Sequence, residues 1–307
     1  MKSSHGGHGW RARSRSHRED LGLDFGVNNE VGRLKEVLLA WPPDSIAAIE
    51  DPADHLMSWK PDLDRMRSQC ETLVAFYKLM GIEVHLLEVP EATPNVVFMR
   101  DLFLMTPEGA ILSRMASEQR AGEEQHVASA LTDLGVPILA TPRGHTTFEG
   151  SADALWAEDQ MLFVGIGRRT NADAVHLLAT LMLGLEVTVE PVWMPEGQMH
   201  LQSFVQLLDR DRAIVVAHEG DYVVRDQLKR HGIKSVVMAE TREVKWDMAL
   251  NFVQLGPNEV LMPAGNEDTR AELEGIGVRV HELDFDEYAK ADGGIGCATG
   301  ILQRERL

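Results

Sequence analysis

The chain is short of cysteine, of aromatic residues, of positive charge and of long apolar runs. Two cysteines in 307 residues, Cys70 and Cys297, make no disulfide framework and point to a reducing compartment, so a cytoplasmic location is expected. Lysine and arginine number 30 against 48 acidic residues, for a net charge of −18. A body this acidic argues against a nucleic-acid groove, which needs a basic surface, and leaves room for a pocket suited to a cationic substrate. No apolar run reaches the roughly 18 residues of a membrane span, and the first twenty residues lack the apolar stretch of a signal peptide. Paired His or Cys spacings are missing too, so neither a zinc site nor any other metal or cofactor is expected.

What is present is the composition of a globular protein, 44% apolar and 25% charged. Positive charge collects at the start, where Lys2, Arg11, Arg13, Arg15 and Arg18 face only Glu19 and Asp20. Residues 1–22 read as a disordered basic tail, and 23–307 as a single catalytic domain. Within that domain a helix-like run ending in glycine, followed at once by a short strand, recurs five times, at Gly81, Gly135, Gly184, Gly232 and Gly277. Glycine just past a helix is the usual left-handed capping residue. The preceding runs predict helices over Leu63–Leu79, Glu123–Leu134, Ala172–Leu183, Val224–His231 and Asp268–Ile276. Short aliphatic strands are predicted at Val37–Trp41, Ala110–Arg114, Met161–Gly165, Ala213–Ala217 and Glu259–Pro263. A third set is predicted over Val96–Leu104, Phe148–Trp156, Met199–Leu207 and Phe252–Leu255. Its fifth copy, Ile295–Leu302, is placed to pair with the first strand and close a ring. The chain therefore reads as five ββαβ units of about fifty residues, an α/β-propeller with pseudo-fivefold symmetry.

The third strand of successive units carries Asp101, Glu149, His200 and Cys297, spaced 48, 51 and 97 residues apart, the last close to two periods. Asn251 stands near the same phase in the fourth unit and is assigned no role. A free cysteine by itself is most often a small buried hydrophobe. Four reactive groups at one repeat position point instead to a site. A thiolate nucleophile, an acid/base and two carboxylates are complementary to a cationic, electrophilic carbon. The thiol is expected to have a depressed pKa beside an imidazolium or a bound cation.

These motifs resemble the guanidino-group-modifying, or pentein, superfamily of arginine deiminases, amidinotransferases and dimethylarginine dimethylaminohydrolases. The resemblance runs over nearly everything from residue 26 onward. Its matching segments are Asn29–Lys35, Phe98–Asp101, Phe148–Gly150, Val164–Asn171, Met199–Phe204 and the glycine-rich stretch around Cys297. It implies a five-bladed α/β-propeller with Cys297 as nucleophile, His200 as general acid/base, and Asp101 and Glu149 as guanidinium ligands, acting through a covalent thiouronium. Arg120 and Arg169 lie where dimethylaminohydrolases hold the substrate α-carboxylate, and Phe98, Gln202 and Asp153 complete the expected substrate-binding set. The expected partner is a small guanidino substrate, with no nucleic acid and no membrane, and a homodimer is the candidate assembly.

Departures from the family pattern bear on the reaction. Gln202 stands where deiminases and amidinotransferases carry Asp, as dimethylaminohydrolases also lack it. Arg100–Asp101 instead resembles the deiminases, and the usual Gly-Gly-Asp is stretched to Gly150-Ser151-Ala152-Asp153. The leading expectation is a metal-independent C–N hydrolase of a substituted arginine. An amidinotransferase, an arginine deiminase and an arginine dihydrolase are the enzyme alternatives, and an inactive propeller that only binds is the non-enzyme one. The irregular stretch Trp41–Lys60 is expected to close over the substrate as a lid.

Overall fold

Five three-stranded sheets carry the fold in a computed structural model that describes residues 25–307. The expected basic tail lies outside those residues. In chain order the strands are β1 (Leu34–Ala40), β2 (Glu83–Leu87), β3 (Phe103–Thr106), β4 (Gly109–Leu112) and β5 (Ile138–Ala140). They continue with β6 (Ala154–Glu158), β7 (Met161–Ile166), β8 (Thr188–Trp193), β9 (Val205–Asp209) and β10 (Arg212–Val216). The last are β11 (Lys234–Met238), β12 (Val253–Gly256), β13 (Glu259–Pro263), β14 (Arg279–Leu283) and β15 (Gly300–Arg304).

Every sheet has the same build: a middle strand pairs antiparallel with one neighbour and parallel with the other. A parallel neighbour needs a crossover, and in each blade a helix provides it. These helices are Leu63–Leu79, Glu123–Asp133, Ala172–Met182, Asp221–Arg230 and Glu267–Gly275, each within three residues of its prediction at either end. Middle strands are buried on both faces, which is why they read as unbroken aliphatic runs: Val37, Ile111, Phe163, Ile214 and Leu261 are all fully buried. The first blade closes as expected. β15 lies antiparallel to β1, pairing Val37 with Ile301, so the two ends of the described chain complete one sheet.

Two sequence expectations are corrected. Gly81, Gly135, Gly232 and Gly277 take positive φ after their helices, but Gly184 does not. The helix there runs on into a 3₁₀ turn, Leu183–Leu185, and Glu186 takes the left-handed position at φ 58°. The third strands also start later than predicted. Val96–Leu104 begins as two 3₁₀ turns (Pro94–Val97 and Met99–Asp101), Phe148–Trp156 contains the helical turn Gly150–Asp153, and Met199–Leu207 contains Leu201–Ser203. Ile295–Leu302 likewise opens with the turn Ile295–Ala298 before β15. Apolar runs this short do not distinguish a buried turn from a strand.

Candidate active site

The corrected turns put the reactive residues where strands would not. Asp101 ends a turn two residues before β3, and Glu149 caps the turn before β6. His200 caps the turn before β9, and Cys297 lies within the turn before β15. A strand would have alternated neighbouring side chains between two faces. From turns at the heads of their strands, Asp101, His200 and Cys297 line one cavity, and Glu149 stands behind His200.

That cavity, about 40 Å³, is lined by Asp101, His200 and Cys297 together with Phe98, Arg120 and Arg169, and Leu56 and Met199 also face it. Glu149 is fully buried behind His200, whose Nε2 lies 2.7 Å from its Oε2. Glu149 Oε1 accepts from the Ala116 N–H at 3.2 Å and from Arg169 at 3.3 Å. Asp101 is 2% exposed and accepts from Arg120 at 2.5 Å through Oδ2. Its Oδ1 is buried and has no donor among the described residues. Arg120 is anchored further, donating to Glu123 at 2.9 Å and to the Asn95 carbonyl at 3.3 Å.

The charges follow from these contacts. Burial alone would discharge the His200 imidazole, but Asp101, Asp153 and Glu149 outweigh it and raise its pKa to about 9. Burial also opposes ionisation of Glu149, yet the hydrogen bond and charge of His200, with Arg169 and Arg120, bring its pKa down to about 2. Burial pushes Asp153 up to about 6. The Cys297 thiol is corrected in direction: burial and the nearby Asp101 raise its pKa, against opposing hydrogen bonds from Gly294 and Asn251. Arg100, held on the Gly296 carbonyl at 3.1 Å, adds a lowering charge, but burial and Asp101 outweigh it, so the expected depression is absent from the site as it stands.

Of the sequence-derived set, Asp101, Glu149, His200, Cys297, Phe98, Arg120 and Arg169 converge on this place. Asp153 and Gln202 do not line the cavity. Asp153 sits beneath the histidine turn and accepts from the Leu201 N–H at 2.9 Å, while Gln202 uses its carbonyl to hold Gln206. Asn251 was missed. Its Nδ2 lies 2.8 Å from Cys297 Sγ and its Oδ1 accepts from the Cys297 N–H at 2.9 Å. The repeat phase was the available signal, since Asn251 occupies it in the fourth sequence unit, just ahead of β12.

The glycines ahead of Cys297 act by close approach, as their run suggests. A Cβ on Gly293 would fall 2.1 Å from the Phe98 ring, and one on Gly296 would fall 2.7 Å from Asn251 Oδ1. Leu56, from the expected lid, turns toward the cavity at φ 60°. Ile46, Ile49 and Met57 anchor that loop in the core, while Trp59 stands 70% exposed. Asp101, Glu149 and His200 also each bring a ligand atom within 4.8 Å of the others, a cation-sized cluster, and Glu36, Glu83 and His85 form a second such group at the edge of the first blade. Neither was visible as a metal spacing in the sequence. Among the described residues no helix is long and apolar enough to cross a membrane.

Five ββαβ blades that bring a cysteine, a histidine and two carboxylates to one buried cavity place the protein in the guanidino-group-modifying, or pentein, superfamily. The arginine deiminase family model matches residues 88–220 and 216–304, and the chain belongs to that family. An uncharacterised protein of Aeropyrum pernix is 30% identical over 264 residues, covering 84% of this chain and 92% of its own. A dimethylarginine dimethylaminohydrolase of Pseudomonas aeruginosa is 25% identical, over 78% of this chain and 89% of that protein. An arginine deiminase of Streptococcus uberis is also 25% identical, over 70% and 62%. Among solved structures, the Pseudomonas aeruginosa dimethylaminohydrolase complexed with citrulline superposes with a TM-score of 0.72 at 22% identity, covering 89% of this chain and all of that one. The N-terminal domain of a cyanobacterial arginine dihydrolase bound to substrate superposes at 0.74 and 21% identity, covering 89% and 99%.

Proposed function

We propose that this protein hydrolyses a guanidino C–N bond in a substituted arginine or a close relative, through a covalent Cys297 thiouronium. The observation that carries the reading is Asp101, which lines the same cavity as Cys297 and His200 and whose buried Oδ1 has no donor among the described residues. A guanidinium supplies the missing N–H, and its carbon then stands beside the sulfur. Arginine side chains already rest on both carboxylates here, Arg120 on Asp101 and Arg169 on Glu149, so each has been shaped to accept such a group.

The sequence of steps follows from the charges. The entering cation lowers the Cys297 pKa and its proton leaves to solvent. The thiolate adds to the guanidino carbon. His200, protonated at neutral pH, gives its proton to the departing amine nitrogen, leaving a thiouronium on Cys297. Neutral His200 then takes one proton from water as the water's oxygen adds to the same carbon, Cys297 is expelled as thiolate, and the remaining hydroxyl proton passes from the product to that thiolate, restoring the thiol and the protonated His200. The products are an amine and a ureido compound. Arg169 is the better candidate for the substrate carboxylate, because Arg120 is anchored by Glu123 and Asn95 while Arg169 has only Glu149 and the Met199 sulfur. A cavity of about 40 Å³ has room for a few waters and is smaller than an arginine, so Arg169 and Leu56, which both line it, are the side chains whose displacement would widen it.

The test is product analysis with arginine, monomethylarginine, asymmetric dimethylarginine and simple guanidines, each with and without glycine, for the wild type and Cys297→Ser. Citrulline with methylamine or dimethylamine from the wild type and nothing from the variant supports the proposal. Product only with glycine means an amidinotransferase, and ornithine with ammonia a dihydrolase. Undiminished turnover by Cys297→Ser rules out the covalent route.

A further inference from the structure

We propose that Asn251 is the positioning residue of Cys297, fixing the direction of the thiol and favouring its ionised form; the inference rests on the covalent role given to Cys297 above. The Cys297 backbone N–H can be satisfied only by an oxygen, and it donates to Asn251 Oδ1 at 2.9 Å. That bond fixes which way the amide points. Nδ2, a donor only, is left facing Sγ at 2.8 Å, so the sulfur has to accept. A neutral thiol is a weak acceptor, whereas hydrogen bonds to an ionised acceptor are shorter and about twice as strong. The amide therefore stabilises the thiolate more than the thiol.

Asn251 is itself held from both sides. Its N–H donates to the Met248 carbonyl at 2.9 Å and its own carbonyl accepts from Gly296 at 3.0 Å. Met248 takes φ 58°, a conformation disfavoured for its side chain and maintained by the packed turn around it. Gly294 and Gly296 leave no room between their backbone and Asn251, for a Cβ on either would fall within 3 Å of its side chain. The glycine run before Cys297 and the turn at Asn251 thus form one clamp joining the blade of β15 to the blade of β12. Asn251 does not line the cavity, so its action passes through the sulfur and not through direct contact with substrate.

The test follows the rate of Cys297 alkylation by iodoacetamide across pH in wild type, Asn251→Asp, Asn251→Ala and Asn251→Ser, with Cys297→Ser to subtract Cys70, which is buried. In Asn251→Asp a carboxylate oxygen faces the sulfur and repels the thiolate, so the alkylation midpoint should rise by about one pH unit or more. In Asn251→Ala it should rise less. With substrate, kcat should fall roughly 10- to 100-fold in both while KM changes little, as expected for loss of one hydrogen bond to a charged group away from the binding surface. Asn251→Ser adds no bulk and keeps a donor, so it should recover part of the wild-type profile, and it remains informative if the other two fail to fold. An alkylation midpoint unchanged from wild type in the folded variants overturns the proposal. Alkylation needs no turnover, so it judges Asn251 even if no guanidino compound proves to be a substrate.

Discussion

Raising the pH should weaken the fold through a single imidazole. His200 keeps its proton to about pH 9 in the folded protein, against an ordinary value of 6.5. A histidine whose folded pKa is raised contributes its full stabilisation below 6.5 and loses it as the pH climbs through 9. The gap between the two values, at about 1.4 kcal/mol per pH unit, amounts to roughly 3 kcal/mol. The side chain is 10% exposed, so solvent screens little of it. The lowered pKa of Glu149 reflects the same 2.7 Å pair and is counted only once. The assay is urea unfolding of wild type and His200→Asn at steps from about pH 6 to about pH 10, reading the difference between them so that other alkaline titrations cancel. At the acid end the variant should be less stable by a few kcal/mol, and the curves should converge as His200 deprotonates. Parallel curves over that range would refute the electrostatic account of the site. The acid lost to stability is also the acid given to the leaving amine, so activity should decline over the same alkaline limb.

Two further outcomes follow from the geometry. Arg169→Ala should raise KM for an amino-acid substrate about 10- to 100-fold, the value of one charged hydrogen-bonding contact, and should leave a simple guanidine without a carboxylate nearly unaffected in steady-state kinetics. Gly296→Ala puts a methyl group 2.7 Å from Asn251 Oδ1 and 3.0 Å from the Phe252 carbonyl, and should cost about 1–3 kcal/mol in thermal unfolding and more in kcat than in KM.

Much of this was legible before any coordinates. The glycine period located the five helices and the middle strands because both signals are local: a capping glycine, then an aliphatic run buried on two faces. The repeat phase located Asp101, Glu149, His200 and Cys297 because equivalent blades deliver equivalent positions. What failed was whatever depends on surroundings distant in sequence. The stretch before β3 reads as a strand from its apolar residues, and only packing makes it a turn. The Cys297 pKa was expected to be low from residue types, but its direction is set by burial and Asp101, neither of which is adjacent in sequence. Asp153 looked like a ligand by motif spacing, and the structure places its carboxylate under the histidine turn, on the Leu201 N–H. Asn251 stood at the right phase, but an asparagine between apolar residues reads as a bend until its amide is seen against a sulfur 46 residues away.

Closing the first blade with the last strand sets an order of events for the making of this protein. β1 is synthesised first among the strands and waits for β15, some 260 positions later, before its sheet is complete. Cys297 lies three residues ahead of that closing strand, so its place is set where the first and last described strands meet. A C-terminally clipped chain keeps Asp101, Glu149 and His200 but lacks Cys297. The ring therefore ties the position of that thiol to the pairing of two strands that stand farthest apart in the described chain.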